Sequence, residues 1–146
     1  MILKLFLCLE AITLPLLGVL NYFAFENYWY WRYPWFDKPM HFLGGLSLGL
    51  LGLILYLYFS NNKNGNKKIN WKILPVGLFP VLLIGIIWEG LEFKASKIHV
   101  ANVYLKTLGM FYNGLGESFK DLLFDFIGAF SAILLFLIII ICKKKN

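Results

Sequence analysis

The sequence predicts an all-α integral membrane protein: a four-helix bundle forming a single transmembrane domain over residues 1–146. Three observations carry that expectation. The chain is 60% hydrophobic and 18% aromatic but only 15% charged, whereas a soluble domain is about 25% charged. Its mean hydropathy is +0.69. Its apolar residues fall in blocks of about twenty, the length that crosses a hydrocarbon core of about 30 Å. The net charge of +6 does not point to nucleic acid, because Lys63, Lys67, Lys68, Lys72 and Lys143 to Lys145 flank apolar blocks. Charge so placed carries topology information and attracts anionic head groups. No basic face with interleaved stacking residues lies outside the membrane zone.

The first helix is expected over residues 2–25. Its start resembles a signal peptide only loosely: Lys4 alone makes the basic region, Glu10 interrupts early, and no small-x-small cleavage site follows. Glu10 is an ionisable group inside lipid, needing a partner or a wet cavity unless it reaches the interface. Residues 26–36 are almost all aromatic and suit the head-group level as an interfacial loop. The second helix covers 39–60, with Asp37 placed to cap it and Pro39 tolerated in its first turn. A basic loop with an Asn64-Gly65 turn leads to the third helix, 73–92, where Pro75 and Pro80 predict a kink. Residues 93–117 form an interfacial amphipathic segment or a lid. Ser118 to Asp121 fits a capping box opening the fourth helix, 119–142. Cys8 and Cys142 lack metal or disulfide spacing and suit apolar filler. Gly45 and Gly49 suit self-association or internal packing equally.

Charge counting puts both termini in the cytoplasm and the protein in the plasma membrane as a multi-pass chain. That orientation gives eight Lys inside against six Lys or Arg outside, the bias of a positive-inside protein. Under either orientation, four antiparallel crossings bring the start of helix two, the end of helix three and the start of helix four to one face. Asp37 and His41 share a helix face, as do Glu89 and Glu92, and Asp121 and Asp125. Five carboxylates near one plane repel unless protonated, paired with cations, or bound to metal. With one imidazole they suit Mg²⁺, Mn²⁺ or Zn²⁺. Facing carboxylate pairs resemble the ligand sets of bundle di-metal sites.

Asp37, His41, Glu89, Glu92, Asp121 and Asp125 are therefore the candidate metal ligands, with Glu89, Asp121 and His41 the candidates for catalysis. Lys38, Lys120 and Arg32 lie at the same rim and could hold a substrate phosphate. The sharpest reading is a metal-dependent membrane hydrolase or transferase acting on a lipid or lipid-linked substrate. Another is a small proton- or cation-coupled transporter. A third is a non-catalytic protein in which Asp37 is a cap, Asp121 belongs to a capping box, Glu92 sits in water beyond helix three, and His41 is a helix-contact residue. Lys97, His99 and Glu117 have no assigned place, and any of them could close the site.

The pattern Asp37-Lys38-x-x-His41-Phe42-x-x-Gly45, then Glu89-x-x-Glu92, then Asp121-x-x-x-Asp125-x-x-Gly128-Ala129 resembles that of YjdF-like multi-pass membrane proteins. It is also similar to the VanZ-like family, which is linked with glycopeptide-antibiotic resistance. VanZ-like proteins tend to carry Gln at the place of Glu92 and Asn at that of Asp125, so those two acids lean toward the YjdF-like side. That side often has more than four helices. The resemblance implies a membrane location and a shared polar site at the six residues, and no particular reaction.

Overall fold

The computed structural model describes residues 2–60, 71–97 and 114–145. The expected Asn64-Gly65 turn, His99 and most of the 93–117 segment lie outside the described residues. Among the described residues there are four long helices and one short one. They are α1 (Ile2–Glu26), α2 (Trp29–Arg32), α3 (Asp37–Phe59), α4 (Ile73–Ser96) and α5 (Leu115–Lys145). The four long helices have the length and composition to cross a membrane. At 1.5 Å per residue α3 is about 35 Å long, enough for the hydrocarbon core.

Two helices begin earlier than their capping signals suggest. Helix α3 starts at Asp37 itself, behind Phe36, with no side-chain cap bond. Pro39 sits in the first turn, where a missing N–H removes no intrahelical bond. Asp37 is thus a buried residue of the helix, not its cap. Helix α5 starts at Leu115, just after Gly114 at φ 106°. Ser118 and Asp121 therefore lie inside it and form no capping box. The left-handed Gly114 is the signal that marks the true start.

Helix α3 is the hub of the bundle, packing on α5, α4 and α1. Small residues permit this. A Cβ on Gly45 would collide with the backbone carbonyl of Asp125, and one on Gly128 with that of Phe42. The two glycines thus let α3 and α5 cross backbone against backbone. On another side of α3, a Cβ on Gly52 would stand 2.5 Å from the Val76 carbonyl oxygen. Pro80 lies inside α4 and cannot donate an N–H to that carbonyl. Gly52 leaves the space the freed oxygen occupies. Gly45, Gly49 and Gly52 are all buried inside the bundle, which decides for internal packing.

Away from the acids the interior is dry. Phe6, Leu50, Leu53, Leu57, Ile133 and Phe136 are all at most 1% exposed, and the Phe6 and Phe136 rings meet edge to face at 5.5 Å. Lipid is as apolar as these side chains, so close packing holds them together. Cys8 and Cys142 are free and exposed; they face outward and fill nothing inside.

The aromatic run between α1 and α3 divides in two. Tyr30 and Phe36 are buried with Ala24 and Met40, while Trp31, Tyr33 and Trp35 stay exposed. Tyr28, at φ 56°, makes the reversal into α2. The Tyr30 hydroxyl donates to Asn21 Oδ1 at 2.7 Å, tying α2 back onto α1. Burial, reinforced by the Asp37 and Glu92 charges, pushes that hydroxyl above its ordinary pKa, so it keeps the proton it donates.

Candidate functional site

The α3–α5 crossing places a cluster one turn beyond the two glycines. His41, a turn before Gly45, turns Nδ1 toward Asp125 Oδ1 at 3.3 Å. A carboxylate only accepts, so the hydrogen of this contact is carried by Nδ1. Nε2 faces Asp37 Oδ1 at 3.6 Å and Asp121 Oδ1 at 4.0 Å. Asp37, His41 and Asp121 each present one donor atom, all within 4.8 Å of one another.

Lys38 supplies the balancing charge. Its ammonium lies 2.5 Å from Asp121, 2.5 Å from Glu117 and 3.3 Å from Asp37. Helix α3 is thereby moored to the first turns of α5. Asp37, Asp121 and Asp125 are all buried, and buried acids need such partners. Glu117 had no expected place, and here it completes the clamp on Lys38. Lys97 does not join; its ammonium lies over the Phe93 ring at 5.0 Å.

The α4 acids lie alongside the group of three. Glu89 is within hydrogen-bond reach of Ser118 on α5, and its Oε1 is buried without a hydrogen-bond partner among the described residues. Glu92 is 4% exposed, the reverse of a residue standing in water, and is within hydrogen-bond reach of the Trp88 side chain. Of the rim cations, only Lys38 enters the cluster. Lys120 pairs with Glu117 at 3.1 Å from an exposed position, and Arg32 is exposed at the end of α2.

Glu10 finds a partner inside the span. Ser47 on α3 donates to its Oε1 at 2.6 Å, and Thr13 donates to its Oε2 at 3.2 Å. Ser47 lies ten residues into α3, about 15 Å below Asp37. Between these levels runs a cavity of about 560 Å³, lined by Leu14, Leu17, Leu48 and Ile84 together with Asp37, His41 and Asp125. Its size is that of a small-molecule site, about 300–1,000 Å³. No periodicity announces such a space, because it arises from how α1 and α4 stand around α3.

Four apolar spans with an acid, imidazole and ammonium cluster at one end define an integral membrane protein. The chain belongs to the family described as "Predicted membrane protein (DUF2238)", whose family model matches residues 2–141. No curated protein and no solved structure matches it.

Proposed function

We propose that the protein is a metal-dependent hydrolase or transferase of the plasma membrane, acting on a lipid or lipid-linked substrate. One observation carries the reading: Asp37, His41 and Asp121 offer three donor atoms within 4.8 Å of one another beside a cavity that runs into the span. Two carboxylates and an imidazole suit Mg²⁺, Mn²⁺ or Zn²⁺. Asp125 behind His41 is the outer partner that orients a ligating imidazole. Bound there, a divalent ion would polarise a phosphoryl or carbonyl oxygen.

The chain's own groups do the rest. Lys38, drawn from the carboxylates it balances, is the cation nearest a substrate phosphate. Glu89, with one oxygen unpartnered, is the base nearest an incoming hydroxyl or water. The excess of Lys and Arg at the opposite face supports cytoplasmic termini and a site at the outer leaflet. The likeness of the three-helix motif to YjdF-like and VanZ-like proteins agrees with a site shared by α3, α4 and α5.

Mn²⁺ titration of the detergent-solubilised protein, followed by electron paramagnetic resonance, tests this. One ion per chain is expected, with at least tenfold weaker binding in Asp121→Asn and in His41→Gln. Saturable stoichiometric binding absent in a folded protein, with a thermal midpoint indifferent to EDTA, would leave the acids as helix-to-helix ties and nothing more.

A further inference from the structure

The bundle has a gap in its wall. Helix α3 packs on α1, α4 and α5, but α1 and α4 scarcely meet, and the cavity lies between them. Leu14 of α1 and Ile84 of α4 both line the cavity and are 56% and 45% exposed. They form the two sides of its mouth. At their level in the spans the protein is surrounded by hydrocarbon, so the mouth opens on acyl chains, not on water.

We propose that this cavity takes one hydrocarbon chain of a bilayer lipid, admitted sideways between α1 and α4, with the lipid's polar end against Asp37, His41 and Asp125. The proposal deepens the reading above by locating the substrate's tail, and it rests on that reading only for what becomes of the head. The polarity of the walls follows the polarity of such a molecule. Leu14, Leu48 and Ile84 line the cavity toward mid-span. Asp37 and His41 stand at its shallow end with Leu17 packed near Tyr30 and Met40, and Asp125 reaches in between these levels beside Gly44 and Gly85. Ser47 is the polar side chain of the deep part, and its hydroxyl is committed to Glu10.

Other occupants fit less well. A water needs two to four polar partners, which the deep walls do not offer. A helix is about 10–12 Å across with its side chains, so about 560 Å³ would hold little more than one of its turns. A chain lying along α3 would pass Gly44 and Leu48, about 10 and 16 Å below Asp37. That is the depth of the upper methylenes of a lipid whose head is level with Asp37.

The protein reconstituted in vesicles containing a phospholipid with a diazirine in the upper half of one acyl chain tests the assignment. After irradiation, mass spectrometry should find adducts on α3 between Gly44 and Leu48 as well as on outward residues such as Phe79 and Ile86. Leu14→Trp and Ile84→Trp each narrow the mouth from a position that tolerates a larger side chain. Each should cut the α3 adducts at least fivefold while the outward adducts hold. Adducts confined to outward residues, or α3 adducts indifferent to both tryptophans, would overturn the proposal. Labelling is done with and without EDTA and should not change. A protein that labels on α3 but binds no Mn²⁺ would therefore keep the chain site and lose the metal reading, and the converse result would do the opposite.

Discussion

The two ends of the α3–α5 pair are held by different physics. At one end Leu50, Leu53, Leu57, Ile133 and Phe136 interlock without a polar atom. At the other, Lys38, His41 and four carboxylates are bound by distance and charge. Between them Gly45 and Gly128 let the two backbones touch. The apolar end depends on shape alone and is indifferent to ions. The polar end depends on the balance of charge and answers to any cation that competes with Lys38. Shape holds one end of this pair of helices, and the balance of charge is confined to the other.

Gly45→Leu strikes the joint between the two ends and should cost the most. Overpacking against backbone, which cannot move aside, destabilises by about 3 kcal/mol or more. Folded protein by size-exclusion chromatography and Mn²⁺ binding should fall together. Phe136→Ala removes a ring from the dry end. Lipid lessens the transfer contribution, leaving mainly a cavity cost of roughly 1–2 kcal/mol. Thermal midpoint should drop while Mn²⁺ affinity stays within about twofold. A parallel loss of affinity would show that the two ends are not separable. Lys120→Ala removes only the exposed partner of Glu117 and should change stability by less than about 0.5 kcal/mol. A larger change in chemical denaturation would move Lys120 into the clamp and extend the polar end outward.

The convergence of the acids is legible in the sequence because two constraints are rigid. Spans of about twenty residues fix depth, and the helical repeat fixes which of Asp37 and His41, or Asp121 and Asp125, look the same way. Capping motifs proved weaker guides. Asp37 and Ser118-x-x-Asp121 match cap patterns, but α3 follows Phe36, already in α geometry with no side-chain cap bond, and α5 follows Gly114 at φ 106°. That Lys38, one of several rim cations able to neutralise the acids, would turn inward and pair with Glu117 was out of reach for a different reason. A long side chain at a rim reads the same whether it points to solvent or inward, and only the neighbouring helix decides. Ser47 and Glu10 lie on different helices with no shared spacing, so their bond and the cavity beside it are visible only once the helices are assembled.

Helix α5 leaves the ribosome after α3 and α4, so α3 meets the translocon before Asp121 and Asp125 have been made. At that moment Lys38 has Asp37 beside it, 3.3 Å away in the finished fold. Opposite charges on adjacent residues give the nascent segment a local neutral pair, which makes its partition into lipid easier than two lone ions would allow. Later Lys38 keeps that neighbour and gains two more on α5. In the finished fold the same lysine joins the start of α3 to the first turns of α5.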